Sequence, residues 1–376
     1  MKVLLVHVWF WPHIGGGDRH VELLGRELVS KGHEVTVWCA DVPEHPEKSF
    51  SRFGINVVRI PPSFIISGVD PVVSLRGLDP GEFDVIHLHD TLPILIRKVV
   101  KKATKLGVPI VTTYHNDYVK ATYAGRALKW IRWRLQGKNT LDLSTTTIAL
   151  RPYFKQLLKE KGANGRIEVV PTGFEPPVEV EVSPRGVPNG PFVLYLSRLT
   201  KQKGLDILLE AWTLMDDTRK LGHQLVIAGD GPLRTEVLKT IQSGTTDLHY
   251  VGLVEDEEKS WLLRNASALV LPSRFEGLPA VLLEAAWEGL PVAMSDVNGL
   301  GKFTADGGFG LSMQPNDVKS CIDAISQLTG ADESTRESWS DAGRALARDY
   351  LWPNVANEIL GVYENAIKQK FHSGVR

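Results

Sequence analysis

The sequence predicts an α/β protein made of two doubly wound domains in tandem, each a parallel sheet covered by helices on both faces. Three observations carry that reading. Near-continuous apolar runs of strand length alternate with helix-length amphipathic segments, the pattern of parallel strands buried on both faces. The alternation runs twice, interrupted at 176–191 by the Pro- and Gly-rich stretch PPVEVEVSPRGVPNGP. At 376 residues the chain is also longer than one hydrophobic core ordinarily serves.

Taken in order, KVLLVHV is the first strand and runs into a glycine turn. RHVELLGRELVSKG then shows helical periodicity ending at Gly32, and HEVTVWCA is the second strand. INVVRI, FDVIHLH, PIVTTYH, LSTTTIAL and IEVVPTG follow as strands, separated by helical stretches such as 94–106. After the linker the cycle restarts with the strand FVLYLSRL, the loop KQKG, the helix LDILLEAWTLM and the strand HQLVIAGDG. LHYVGLV, ASALVLPS and PVAMSDV continue the series. Ligands of such sheets bind beyond the carboxyl ends of the strands, so two of them facing each other are expected to form a deep cleft.

Composition narrows the class. Hydrophobic residues make up 43% and charged residues 23%, ordinary for a soluble globular protein. The two cysteines, Cys39 and Cys321, have no metal or redox spacing, which argues for a reducing compartment over a disulfide scaffold. The apolar start MKVLLVHVWFW has one Lys and no small-residue cleavage site, so it reads as a strand and not as a signal peptide. No apolar run approaches the roughly 18 residues needed to cross a bilayer. Net charge is −1, but residues 95–166 hold 16 Lys and Arg against 3 Asp and Glu.

PHIGGGDRH (12–20) joins the first strand to the first helix. Its glycines let the backbone approach a ligand, and the helix start behind them favours an anion. The spacing is not G-x-G-x-x-G, and Asp41 at the end of the second strand is a weak hint of a dehydrogenase's ribose-binding acid. SRLTKQKG (197–204) puts Arg198 and Lys203 on one strand-end loop, a planar fork and a point charge suited to a diphosphate. In RFEGLPAVLLEAAWEGLPV (274–292), Pro279 suits a helix start and Gly289 its end. Glu276 is then on the loop before the helix and Glu284 in its second turn, roughly 8 Å or more apart at 1.5 Å of rise per residue. They are too far apart to share a proton, but well spaced to grip two parts of one elongated ligand. His87 and His89 in HLHD share a strand face, without a third ligand at a telling spacing.

Together, GGGDRHVELLGRELVSKGHEVTV, TTYHND, LSRLTKQKG, AGDGPLR and FEGLPAVLLEAAWEGLPV resemble a family 4 retaining glycosyltransferase of the GT-B fold, over most of the chain and in the expected order. The element Glu276-x7-Glu284 is the most specific part. The resemblance implies an enzyme with a nucleoside diphosphate sugar as donor, no cofactor and no metal. It implies that Glu276 meets the donor sugar, that Glu284 meets the ribose, and that Arg198 and Lys203 hold the diphosphate. Gly16 and Gly17 would bring backbone to the phosphates and sugar, His115 would stand beside the sugar, and Gly277 and Leu278 would offer backbone contacts. The same resemblance implies an N-terminal acceptor domain (1–176), a C-terminal donor domain (177–351) and a helix (352–376) that completes the first.

Two stretches depart from the family pattern. NGLGK (298–302) stands where Gly-Gly-x-Pro-Glu is usual, and Thr172 in VVPTGFE replaces a common asparagine. Two rivals therefore stay open: a nucleotide-sugar 2-epimerase of the same architecture, and a non-catalytic nucleotide-sugar-binding protein. On the acceptor side, Arg97, Lys98, Lys101, Lys102 and Lys105 fall on one face of 94–106. RALKWIRWRLQ (126–136) interleaves Trp130 and Trp133 with Arg126, Lys129, Arg132 and Arg134. Basic faces with interfacial tryptophans suit anionic lipid headgroups. A lipid-linked or otherwise anionic acceptor follows as the expectation, with the protein in the cytoplasm and peripheral at the inner face of the membrane. No nucleic-acid recognition motif accompanies the charge, so nucleic acid is not an expected partner.

Overall fold

A computed structural model of the chain describes residues 1–13, 15–66, 70–115, 130–180 and 182–373. It divides into two compact units, Met1–Gly173 with Trp352–Arg376, and Phe174–Leu351. Among the described residues no helix is long and apolar enough to cross a membrane.

The first unit holds strands β1 (Lys2–Val6), β2 (Glu34–Ala40), β3 (Ser49–Arg52), β4 (Ile55–Ile60), β5 (Pro62–Ile66), β6 (Asp70–Val73), β7 (Val85–His89), β8 (Ile110–Tyr114), β9 (Thr146–Ala149) and β10 (Ile167–Val169). Eight of them form one sheet in the order β10-β9-β8-β7-β1-β2-β4-β3. Every pair is parallel except β3 with β4. β5 and β6 make a separate hairpin. β1 is central: Leu5 pairs with Val37 on one side and His87 on the other, and Val3 to Val6 are wholly buried. The helix Trp352–Ser373 lays Val355, Ile359, Val362 and Tyr363 into the core that β1 and the Gly16–Ser30 helix share.

The second unit has β11 (Phe192–Leu196), β12 (Gln224–Ala228), β13 (Leu248–Gly252), β14 (Ala268–Leu271), β15 (Val292–Ser295) and β16 (Gly310–Met313). They pair in parallel in the order β13-β12-β11-β14-β15-β16. All five residues of FVLYL in β11 are buried, as expected of a central strand covered on both faces.

In both sheets the winding direction reverses beside the first strand, between β1 and β7 and between β11 and β14. At such a reversal the loops leaving two adjacent strands part to opposite faces and open a crevice, the usual ligand position of open α/β sheets. The loops that matter are therefore those after β1 and β7 in one unit and after β11 and β14 in the other.

Candidate active site

In the second unit the loop after β11 carries Arg198 and Lys203, and the loop after β14 carries Glu276. The two are tied together. Arg274 clamps Asp206 with Nη1 and Nη2, at 2.6 and 2.9 Å, and donates from Nη1 to the carbonyl of Lys201 at 2.5 Å. Its backbone N–H donates to the carbonyl of Gln202 at 2.8 Å. Burial pushes the Asp206 pKa up, but the hydrogen bonds and charge of Arg274 prevail and hold it below the usual carboxylate value. Gly204 closes the first loop at φ +70°, and a Cβ there would sit 1.8 Å from the carbonyl oxygen of Pro272. Only glycine permits that approach.

These ties bring Lys203 onto Glu276, whose carboxylate accepts from the lysine ammonium and from Ser273 Oγ, the latter at 3.2 Å. Asn298 Nδ2 donates to the Glu276 carbonyl at 2.6 Å, with Asn298 itself in the left-handed region at φ +54°. So the first residue of the departing NGLGK stretch holds the Glu276 loop in place. Lys302 is exposed at the start of the Leu300–Asp306 helix and donates its backbone N–H to Asp296 at 3.1 Å. Below the loop, the buried Tyr195 hydroxyl faces the carbonyls of Arg198 and Lys203 at 3.4 and 3.5 Å. The Arg198 side chain is exposed.

Pro279 caps the Ala280–Glu288 helix, and Gly289 ends it at φ +76°. Gly277 and Leu278 form the loop just before it, and Glu284 lies in its second turn. The Glu284 carboxylate accepts from Lys259, on the Asp256–Asn265 helix, at 3.1 Å. Burial raises the Glu284 pKa and Lys259 opposes the rise without cancelling it. Lys259 has no sequence signal, since only the packing of two helices brings it to Glu284.

In the first unit, the β1 and β7 strand ends hold a cluster of histidines. Gly15 caps the Gly16–Ser30 helix. Gly16 faces open space, whereas a Cβ on Gly17 would meet His7 Nε2 at 2.8 Å. His7 Nδ1 bonds the His89 carbonyl at 2.7 Å, and its Nε2 lies 3.2 Å from the buried Asp18 carboxylate, which also takes His13. Burial would raise the Asp18 pKa, but hydrogen bonds from His7 and His13 and their charge hold it low. His115, just past β8, stands 3.2 Å from His89 Nδ1 through its Nε2, with its ring centre 4.7 Å from that of His20. His20 Nδ1 bonds Thr172 Oγ1 at 2.8 Å, so the residue that departs from the family's asparagine is in direct contact with this cluster. Burial keeps His20, His87, His89 and His115 neutral, with His20 pushed down to about 3.

Three residues singled out in the sequence are taken up by the fold. Asp41 is buried, with one carboxylate oxygen held by Arg59 at 2.8 Å and the other by Lys48 at 2.5 Å, a structural ion-pair role. Trp133 is buried with Tyr114 and Phe154 and is not an interfacial residue. His87 is occupied by the Tyr363 hydroxyl at 2.6 Å and Thr113 Oγ1 at 2.7 Å, so it is a core histidine. Arg126 and Lys129 lie outside the described residues.

Two doubly wound units, each with its polar loops at the strand-order reversal, define a GT-B class protein. Comparison with known proteins gives the family. The model for glycosyltransferase family 4 matches residues 14–177, and that for glycosyl transferases group 1 matches 182–346. The chain is 27% identical to glycogen synthase of Mycobacterium tuberculosis, covering 96% of this chain and 94% of that one. It is 28% identical to phosphatidyl-myo-inositol mannosyltransferase of Mycobacterium leprae, covering 97% and 96%. Among solved structures it resembles Anabaena HepE in complex with UDP, with a TM-score of 0.73 at 17% identity over 97% of this chain and 100% of that one. HepE in complex with UDP-glucose gives 0.69 at 16% over the same shares. The chain belongs to glycosyltransferase family 4, a family of retaining enzymes.

Proposed function

We propose that this glycosyltransferase moves a hexosyl group from a nucleoside diphosphate sugar, with retained anomeric configuration, to a lipid-linked or otherwise anionic acceptor. The observation that carries the donor half is the joining of the two reversal loops of the second unit, with Lys203 held against Glu276. Arg198 and Lys203 take the diphosphate, Glu276 and the backbone of Gly277 and Leu278 take the sugar and adjoining phosphate, and Glu284 takes the ribose. In the first unit, Gly16 and Gly17 offer backbone N–H groups at a helix start, and His115 serves the sugar. HepE's complexes with UDP and UDP-glucose support a nucleotide-sugar donor by likeness of fold.

In this reading, cleavage of the sugar–phosphate bond leaves negative charge on the diphosphate. Preorganised cations and helix-start amides stabilise that charge as it develops. The departing phosphate oxygen takes the proton of the acceptor hydroxyl, so no side-chain base is required.

Features of the first unit support an anionic acceptor surface. On the Ile94–Leu106 helix, Arg97, Lys101 and Lys105 are exposed, while Lys98 and Lys102 turn their amines onto the carbonyls of Val73 and Leu78. Asp70 of β6 accepts from the N–H of Ile94 at 3.1 Å and from Arg132 at 2.7 Å. It thereby joins the β5–β6 hairpin, this helix and the 130–132 segment. Phe64, Ile66, Trp130 and Ile131, on two of those three pieces, are exposed apolar side chains. Cations beside exposed apolar and tryptophan side chains suit a membrane interface. One relative is named for phosphatidyl-myo-inositol, an anionic lipid of the proposed kind, and the other for glycogen, an uncharged glycan.

The test is release of nucleoside diphosphate from a panel of nucleotide sugars, with and without glycan and lipid acceptors. Release that depends on acceptor, with sugar found on it, is the expected result. Release with an altered free sugar and no acceptor dependence would identify a 2-epimerase. Donor binding with no turnover on any acceptor, water included, would identify a binding protein.

A further inference from the structure

In the second unit, at the end of the sheet opposite the Arg198 and Glu276 loops, three helices leave an open groove of about 750 Å3. Ser267 and Pro291, which immediately precede β14 and β15, mark its place, and the Ala280–Glu288 helix ends there at Gly289. That helix starts beside the Glu276 loop, so its length of roughly 13 Å separates the groove from the donor residues. The Glu333–Asp349 helix closes the other side. Gly289 sets how near that helix comes, since a Cβ there would meet Ser340 Oγ at 2.1 Å and Arg344 Cζ at 3.0 Å.

The charges that line the groove fall into separate sets. Arg264 Nε and Glu288 Oε2 neutralise each other at 2.9 Å. Arg336, Ser340 and Arg344 follow at four-residue intervals along the Glu333–Asp349 helix, the two arginines about 12 Å apart along its axis. Arg336 spends Nε and Nη2 on the carbonyls of Ala331 and Thr329, and Arg344 spends Nη2 on that of Glu288. Among the described residues this leaves Nη1 of Arg336 and both Nε and Nη1 of Arg344 without a partner. The exposed Glu337 and Asp341 supply two further carboxylates beside them.

We propose that this groove is a second ligand site and takes a phosphorylated sugar, with the phosphoryl group against Arg336, Ser340 and Arg344 and the hydroxyls against Glu337 and Asp341. Guanidinium N–H groups are strong partners of phosphate oxygens, and carboxylate oxygens accept from hydroxyls. The mixture of charges is what selects. A bare anion gains the arginines but is repelled by the two carboxylates, and a neutral sugar leaves the arginines without an anion. A ligand that carries both an anionic group and hydroxyls satisfies both sets. None of the lining side chains is aromatic, so the groove lacks the stacking platform that a nucleobase uses. That sets its ligand apart from a nucleotide donor.

The site does not rest on the donor reading, and binding is measured directly. The full chain is titrated by calorimetry with glucose 6-phosphate and with mannose 6-phosphate, against glucose and inorganic phosphate as controls. At least one hexose phosphate should bind as one equivalent, about 10-fold or more tighter than either control. Arg344→Glu, at an exposed position, should weaken that binding about 10-fold or more, whereas Arg198→Ala should leave it unchanged. Glu337→Ala together with Asp341→Ala should shrink the preference over inorganic phosphate. No binding of either hexose phosphate overturns the proposal, and so does inorganic phosphate bound as tightly. Binding unchanged in folded Arg344→Glu overturns it too, as does loss in Arg198→Ala, which would assign the ligand to the donor loops. Should Arg344→Glu not fold, Arg198→Ala and the double variant decide.

Discussion

The ammonium of Lys203 and the carboxylate of Glu276 are ion-pair partners across 73 residues of chain, with only 14% and 10% of their side-chain surfaces exposed. Removing one partner strands the other in a poorly solvated place. Lys203→Ala should therefore destabilise the protein by about 1–3 kcal/mol and cut turnover about 100-fold or more. Arg198→Ala should cut turnover as severely, yet change stability by no more than about 0.5 kcal/mol, because its side chain is exposed. Urea unfolding and initial rates on both variants check the contrast. Equal stability of the two would remove the structural half of the Lys203 role.

The two glutamates should fail in different ways. Glu284→Ala should weaken free nucleoside diphosphate binding, because a ribose contact is made equally in ground and transition states. Glu276→Ala should mainly reduce turnover and leave free nucleotide affinity unchanged. Titrating nucleoside diphosphate into both variants decides the point, and equal losses of affinity contradict the division.

Much of this arrangement was legible in the sequence. Both central strands are unbroken apolar runs, Pro279 and Gly289 bound their helix to within a residue, and the loops with Arg198, Lys203 and Glu276 fall at strand ends. Short or half-exposed strands were not legible. SFSR of β3 and GLSM of β16 are four residues long and lack an apolar run, and the β5–β6 hairpin is made of the short, proline-bearing segments PSFII and DPVV. Partners brought by tertiary packing were equally hidden: Lys259 for Glu284, Asn298 for the Glu276 carbonyl, His7 for Asp18. Trp133 misled because its neighbours in sequence are basic, while its ring packs inward on Tyr114.

The glycine loop gives a contrast between neighbours. Gly16→Ala meets nothing within 4 Å and sits in a helix, so it should fold normally and gain up to about 1 kcal/mol. Any loss of activity in it is then a loss of ligand approach. Gly17→Ala would press on His7 Nε2 and should lower the melting temperature. Gly204→Ala, aimed at the Pro272 carbonyl from a positive φ, should fail to give a native protein. Expression and thermal melts of the three test this order, and a stable Gly204→Ala would contradict the loop geometry.

Stability should fall with acid. Burial lowers the pKa values of His20, His87, His89 and His115 in the fold, His20 to about 3, whereas in the unfolded chain they titrate near 6.5. Below about pH 6.5 the unfolded state therefore binds protons that the fold refuses. Their contribution is fully present above that pH and is lost progressively below it, by up to about 1.4 kcal/mol per ring per pH unit. Urea unfolding at pH 7.5, 6.5 and 5.5 should show a much smaller loss in the first step than in the second. A flat profile would contradict the buried neutral cluster.

Membrane association should follow the exposed cations. Arg97→Glu, Lys101→Glu and Lys105→Glu together should release the protein from anionic vesicles. Each cation near such a surface contributes about 1 kcal/mol, weakened by salt. Co-sedimentation with anionic and neutral vesicles at low and high salt is the check. Indifference to anionic vesicles at low salt would turn the acceptor reading towards a soluble glycan.

Donor binding at the joined reversal loops is tested most directly by thermal shift, because a ligand of the native state raises apparent stability. A panel of nucleoside diphosphate sugars is applied to the wild type and to Arg198→Ala. At least one donor should raise the melting temperature of the wild type and fail to raise that of Arg198→Ala, whose unliganded melt is unchanged. An equal rise in both would place the diphosphate elsewhere and contradict the account.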